Sequence, residues 1–312
     1  MKTAIIGTGG VGGYFGGKIA QAGNEVVFIA RGEQLKALRQ KGLRVKSPLG
    51  DFEVPSVHAT DDVIEAGNAD LIILGVKAWQ VSGIAAQLRN HIRKETIILP
   101  LQNGILVNDE LAAELGTSHA VGGLCRIFAK IESPGVIVHT GVEPSLIFGE
   151  TDNAITERVL KIEKLLTGSG IKARISEDIQ AELWKKFINI CASGLLAVTR
   201  STYGEIREMK ETRTMMIDLF EEIWNLSQKA GVHVEHEFVA KTVAFIDSFD
   251  YTATSSLTRD VWEGKPSEIE YQNGTVVRLG EKYGVPTPIN RFIYNCILPM
   301  EKKARKFANL PM

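Results

Sequence analysis

Seven glycines fall between residues 7 and 17, in a chain of 312 residues that holds 30 in all. A cluster this dense says that the backbone near residue 10 must approach something closely. Residues 2–6 (KTAII) read as a short β-strand, Tyr14 to Ala22 as a helix ending at Gly23, and Glu25–Ile29 (EVVFI) as a second strand. Between the first strand and the helix stands Gly7-Thr8-Gly9-Gly10-Val11-Gly12, a G-x-G-x-x-G. In strand–turn–helix–strand context this spacing is the fingerprint of a dinucleotide-binding turn. Gly7 allows the tight turn, Gly9 lets the backbone approach a pyrophosphate, and Gly12 lets the helix pack against the strand. The diphosphate would sit on the helix N-terminus, where free N–H groups point outward. The plain alternative is a glycine-rich turn that binds nothing, and the flanking strands argue against it.

The second strand ends where the adenosine ribose is read. An Asp or Glu there accepts from the 2′-hydroxyl. Here the strand runs into Arg31, with Glu33 just beyond. A cation suits a 2′-phosphate and does nothing for a hydroxyl, so the expected cofactor is NADP(H). In the alternative, Arg31 is a solvated surface residue and Glu33 takes the ribose.

Further on, Lys41–Pro55 reads as a hairpin around Ser47-Pro48-Leu49-Gly50-Asp51. Leu71–Val76 and Thr96–Leu101 are continuous apolar runs, as in buried parallel strands, with helices expected over Asp61–Gly67 and Val81–Ile92. From Cys125 to Glu150 the pattern suggests an antiparallel meander closing the same sheet. A helix over Thr156–Thr167 and a strand over Ile171–Ile175 follow. After about residue 177 only helical spacing remains, over Asp178–Val198, Arg213–Gly231, Glu237–Asp247, Ser267–Tyr283 and Pro288–Arg305. The expected fold class is α/β: an N-terminal Rossmann-type doubly wound sheet (1–177) followed by an all-α C-terminal domain (178–312).

Composition removes other classes. Lys+Arg 36 against Asp+Glu 37 gives a net charge of −1, which leaves no basic stripe for nucleic acid. No uncharged stretch reaches the ~18 residues that span a bilayer. Cys125, Cys191 and Cys296 are odd in number and without a CxxC, and read as buried thiols in a reducing compartment. The strand pattern starts at once and leaves no room for a signal peptide, so the expected location is cytoplasmic. His233 and His236 lack a partner pair, and no metal site is expected.

Polar residues in three places could carry chemistry. Lys77 and Asn103 follow the two apolar strands, at the strand ends where ligands lie in open α/β sheets, and both could face the nicotinamide side. Their bland readings are a solvated loop charge and an Asn-Gly turn. Lys186 lies at the edge of a stripe of Ile179, Leu183, Phe187, Ile190, Gly194 and Val198, with Lys185 about 100° away. A partly desolvated lysine gives up its proton nearer neutrality, and hydride transfer to a ketone needs such a donor. Alternatively Lys186 snorkels to water or pairs with Glu182. The hydroxyls of Ser255, Ser256 and Thr258 could grip a substrate carboxylate. Glu268, expected in a helical first turn, could orient a lysine ammonium or a substrate hydroxyl, or could simply complement the helix dipole.

Together these residues resemble the ketopantoate reductase (2-dehydropantoate 2-reductase) family over essentially the whole chain. The ordered motifs are G-x-G-x-x-G at 7–12, Arg31, V-K-A-W-Q at 76–80, Q-N-G at 102–104, E-L-W-K-K-F at 182–187, S-S-L-x-x-D at 255–260 and E-I-E-Y-x-N-G at 268–274. The resemblance implies an NADPH-dependent reduction of 2-dehydropantoate to (R)-pantoate, a step toward pantothenate and coenzyme A. It implies Lys186 as general acid and Glu268 as the acidic residue near the reacting hydroxyl. Asn103 would contact the nicotinamide ribose and the substrate, and Ser256 would bind the substrate. Lys77 would lie near the cofactor, and Arg31 would contact the 2′-phosphate. The chain departs from the pattern at Ile190, where many members carry a substrate-binding Asn, and Asn189 is one residue early. Another branched or aryl 2-oxo acid is therefore an alternative substrate. A non-catalytic NADPH sensor is the alternative of another class. The partner is a small 2-oxo acid, and a homodimer is the guess for assembly.

Overall fold

The computed structural model describes residues 1–308 and Leu310. The chain forms two compact units, one of Met1–Gln102 with Leu106–Ile179, the other of Asn103–Ile105 with the chain from Gln180 onward. The division thus falls two residues beyond the expected 177/178, and three residues of the first half belong to the second unit.

In the first unit the elements run β1 (Thr3–Ile6), α1 (Gly10–Gln21), β2 (Val26–Ile29), α2 (Gly32–Lys41), β3 (Leu43–Lys46), β4 (Phe52–Val54), β5 (His58–Thr60), β6 (Leu71–Leu74), α3 (Val81–Leu88), β7 (Ile97–Pro100), α4 (Val107–Leu115), β8 (Gly122–Ser133), β9 (Val136–Gly149), α5 (Glu157–Gly168) and β10 (Lys172–Ile175). A parallel sheet has the order β5-β2-β1-β6-β7. The chain steps outward from β1 to β2 and β5, then returns to the other side of β1 for β6 and β7. That reversal makes the sheet doubly wound, with its switch point between β1 and β6. Alternate residues of these apolar strands feed two cores. Ile5, Phe28, Ile73 and Leu99 enter one face, and Ile6, Ile29, Leu74 and Ile98 the other.

The expected meander does not close this sheet. It forms a second one, of order β10-β9-β3-β4, with β8 also on β9. The runs VIVHT and SLIFG are one 14-residue strand, β9. It is long enough to pair antiparallel with β8 while β3 joins it in parallel at Val136–Val138 and β10 at Ser145–Phe148. Only the β8–β9 and β3–β4 pairs are antiparallel within it.

Helix α1 lies between the two sheets and starts at Gly10, four residues before the apolar pattern suggests. Its glycines divide by face. A Cβ on Gly16 would sit 2.5 Å from Ile5 Cγ1, and one on Gly12 2.3 Å from the Gly7 carbonyl oxygen, both toward the parallel sheet. A Cβ on Gly13 would meet Ile137 Cγ1 at 2.8 Å, and one on Gly17 Leu43 Cδ2 at 3.0 Å, both in the second sheet. The glycine cluster therefore serves helix packing on two sides as well as the turn.

Other departures are local. In place of the helix expected over Asp61–Gly67 there is a 3-10 helix, Val63–Asn68, whose N-cap Asp62 accepts from the Ile64 N–H. Helix α3 stops at Leu88, and α2 and α4 were not anticipated.

The second unit is helical: α6 (Ile179–Thr199), α7 (Tyr203–Glu208), α8 (Lys210–Lys229), α9 (Glu237–Asp247), α10 (Ser256–Trp262), α11 (Asn273–Tyr283) and α12 (Pro288–Phe307). The buried face of α6 is centred on Trp184, Phe187, Ile188, Cys191 and Leu195, so Ile190 and Val198 lie at its half-buried edge rather than in the stripe. The helix expected over Ser267–Tyr283 is broken. Ile269–Tyr271 is one 3-10 turn, and Gln272 leaves helical geometry at φ −114°, ψ −105° before α11 begins. The three cysteines form no disulfide; Cys125 and Cys191 are buried and Cys296 is partly so. No helix of the described residues is long and apolar enough to cross a membrane, and they hold no cluster of metal-binding side chains.

Candidate active site

The phosphate-binding turn is made of backbone. Gly7 ends β1 at φ +94°, where any Cβ would also strike Val76 N at 2.7 Å. Thr8 is buried and its hydroxyl donates to the Ile29 carbonyl (3.1 Å), which ties the turn to β2. Gly10 faces the backbone of Ala129 on β8, whose oxygen a Cβ would approach to 2.4 Å. Gly9 differs from these: nothing lies within 4 Å of its Cβ position. It caps α1 without a side-chain bond, and the first turn of α1, including Val11 and Gly12, holds no acidic residue. Free N–H groups, open space at Gly9 and no competing carboxylate fit a dinucleotide diphosphate at this helix end.

Arg31 follows β2 as the N-cap of α2, exposed and with no ion pair or side-chain hydrogen bond among the described residues. Glu33 faces Lys36 at 3.9 Å. The cation is thus available to a 2′-phosphate. Lys77 stands beyond the end of β6, beside the switch point, half-buried and with its ammonium 5.7 Å from the Trp79 ring centre. Sequence reasoning missed Gln34. Its amide donates to the Thr8 carbonyl (3.0 Å) and accepts from Gly135 N–H (2.9 Å), holding the turn against the β8–β9 connection. Its only signal was its place on α2, a helix the apolar pattern concealed.

The second unit contains Asn103, Lys186, Ser256 and Glu268, and brings Asn103 and Glu268 into contact. Asn103-Gly104-Ile105 belongs here for physical reasons. Gly104 adopts φ +104°, and a Cβ there would lie 2.7 Å from the Tyr271 carbonyl oxygen. Ile105 packs on the helical core. Asn103 Nδ2 donates to Glu268 Oε2 at 3.3 Å, across 165 residues of chain. Asn103 and Lys77 therefore lie in different units, although both follow strands of one sheet. Glu268 is 5% exposed and precedes the 3-10 turn, so it is not a first-turn residue facing a helix dipole. Its neighbour Glu270 is committed elsewhere: Arg278 Nη1 (2.7 Å) and Tyr294 Oη (2.6 Å) both donate to its carboxylate. Burial and that carboxylate push the Tyr294 pKa up to about 12.

The two adjacent lysines separate clearly. Lys185 pairs with Glu235 (3.5 Å) and lies over Phe238. Lys186 is half-buried, and its ammonium makes no ion pair or hydrogen bond among the described residues. The three hydroxyls of 255–258 separate too. Ser255 caps α10 by accepting from Thr258 N–H (3.1 Å), and buried Thr258 donates to the Ser193 carbonyl on α6 (2.9 Å). Ser256 alone is exposed, with no side-chain bond in the described residues.

Comparisons with known proteins agree with this anatomy. The family model described as ketopantoate reductase PanE/ApbA matches residues 3–153, and that for the C terminal of the same family matches 178–301. A 2-dehydropantoate 2-reductase from Nostoc sp. is 30% identical over 304 residues, 94% of this chain and 93% of its own. The crystal structure of a PanE/ApbA family ketopantoate reductase from Ralstonia eutropha JMP134 superposes with a TM-score of 0.90 at 30% identity, covering 98% of this chain and 100% of its own. D-mandelate dehydrogenase, solved with NADH and anilino(oxo)acetate, gives 0.88 at 25% identity, covering 98% and 100%. A bound nicotinamide cofactor on this fold agrees with the glycine turn. With both units matched in order by one family's models, and the turn, the lone lysine and the buried Glu268 at the motif positions, the chain belongs to the ketopantoate reductase family of oxidoreductases.

Proposed function

We propose that this protein reduces 2-dehydropantoate to (R)-pantoate with NADPH, with the cofactor held by the first unit and the acid–base chemistry supplied by the second. The observation that carries the reading is Lys186, half-buried and unpartnered beside a lysine that is fully engaged. When bound, the reduced nicotinamide supplies a hydride to the ketone carbon. As the carbon–oxygen π pair moves onto oxygen, Lys186 Nζ gives that oxygen its proton. Ser256 offers a hydroxyl to the substrate carboxylate. Glu268, oriented by Asn103, takes the hydroxyl that forms or holds the lysine ammonium toward it. Gly7 to Gly12 seat the diphosphate, and Arg31 the 2′-phosphate. A cytoplasmic location and a homodimer belong to the same reading, and light scattering on the purified protein checks the second. Steady-state kinetics with ketopantoate, run separately with NADPH and NADH, test the whole. No turnover with either cofactor, despite NADPH binding, would instead favour a sensor.

Ile190 favours a second reading. It occupies the half-buried edge of α6, one turn beyond Lys186, where a hydrogen-bonding Asn would discriminate pantoate's hydroxyl groups. An apolar residue there suits a branched or aryl 2-oxo acid, and D-mandelate dehydrogenase is among the structural neighbours. Comparing kcat/KM across ketopantoate, 2-oxoisovalerate and phenylglyoxylate decides between them.

A further inference from the structure

The Glu268 segment is neither helix nor strand, so its backbone groups need partners from elsewhere. One set comes from α12. Glu301 Oε2 accepts both the N–H (2.9 Å) and the hydroxyl (2.6 Å) of Ser267, the residue immediately before Glu268. Glu301 Oε1 accepts from Arg305 Nε (2.6 Å), and Arg305 Nη2 reaches back to the Ser267 carbonyl oxygen (3.5 Å). All three residues are buried, with Ser267 0%, Glu301 2% and Arg305 3% exposed. On the other side, the Glu268 carbonyl accepts from Tyr271 N–H (3.0 Å). The peptide groups on both sides of Ser267 are thus gripped by one ion pair, and the next turn is closed.

An ion pair this deeply buried is weak evidence for stability, because apolar residues of the same volume often serve as well. Its geometry suggests a different purpose. It presents charged hydrogen-bond partners to one short stretch of irregular backbone, and that stretch carries the carboxylate facing Asn103. We propose that Glu301, paired with Arg305, is a positioning residue that holds Glu268 in its reactive orientation through Ser267. The inference rests on the role given to Glu268 above.

The test is a double-mutant cycle. Glu301→Gln and Ser267→Ala are each made alone and in a Glu268→Gln background, and kcat, KM and NADPH affinity are measured. Glu301→Gln is expected to lower kcat about tenfold while leaving NADPH affinity within about twofold. In the Glu268→Gln background it should cost less than about twofold more, since a group acting only through Glu268 has nothing left to position. Ser267→Ala, which keeps the ion pair, should show a smaller loss that vanishes in the same way. Equal losses in both backgrounds, or an unchanged kcat, would overturn the proposal while leaving the Glu268 reading intact. If Glu301→Gln does not fold, the Ser267→Ala cycle decides by the same criterion. A Glu268→Gln enzyme with wild-type kcat would sink the Glu268 reading, and this proposal with it.

Discussion

At residues 7–12 the proposed cofactor seat is prepared by leaving side chains out; at 267–272 the proposed acid–base segment is prepared by bringing them in. The turn needs room at Gly9, a positive φ at Gly7 and unpaired N–H groups on α1, all properties of consecutive residues. The Glu268 segment depends on Asn103 from the end of β7 and on Glu301 and Arg305 from the end of α12. The contacts that Ser267 and Glu268 make with these residues span 34 to 165 residues of chain. A backbone-built site tolerates little change within itself and much outside. A side-chain-built site can be damaged from far away along the chain.

The largest expected effect tests the side-chain half. Lys186→Ala should lower kcat by about 10²–10⁴-fold, while Lys185→Ala, which loses an ion pair with Glu235 and a contact with the Phe238 ring, should stay within about tenfold of wild type. Steady-state rates with ketopantoate check both, and a similar loss in the two variants would break the distinction. Within the backbone half, two adjacent glycines should fail differently. Gly10→Ala forces a Cβ against the Ala129 carbonyl and should cost about 1–3 kcal/mol of stability, read as a lower denaturant midpoint. Gly9→Ala meets nothing in the fold, so its midpoint should hold while its KM for NADPH rises about tenfold or more. A Gly9→Ala enzyme with normal NADPH affinity would show that the open space is not reserved for a ligand.

Arg31→Ala should weaken NADPH by about 1.5–3 kcal/mol, the worth of a charged hydrogen bond, and leave NADH unchanged. Equal effects on the two cofactors would remove the 2′-phosphate assignment. The smallest effects separate neighbouring serines. Ser255→Ala should lose about 1 kcal/mol of stability as its helix cap goes. Ser256→Ala should keep its melting temperature and raise the KM of the 2-oxo acid.

The same contrast explains what could be read before the fold was known. The strands β1, β2, β6 and β7 and the long C-terminal helices announce themselves through runs of apolar residues at the right period. Helices α2 and α4 do not. Only Leu35, Ala37 and Leu38 are buried in the first, and Val107 and Leu111 in the second, too few to mark a stripe. The parallel joining of β3 and β10 to β9 is a pairing between distant segments, and no local pattern specifies it. Lys186 could be singled out by its spacing, but its lack of a partner became evident only once Lys185 was found with Glu235. Gln272 is itself neither Gly nor Pro, and the Asn273-Gly274 pair after it opens α11 instead of making a turn, so Glu268 reads as a helical residue.

Helix α1 has a consequence for the order of assembly. Five of its twelve residues are glycine, each less favourable in a helix interior than alanine by about 0.5–1 kcal/mol. Such a segment has no reason to coil by itself in the unfolded chain. It becomes helical only when Ile5 and Phe28 close on one side and Ile137 and Phe52 on the other. The proposed diphosphate seat at its tip should therefore be among the last parts of the first unit to form. Pulse-labelled hydrogen exchange during refolding would show this as late protection of the α1 amides relative to those of β1 and β6.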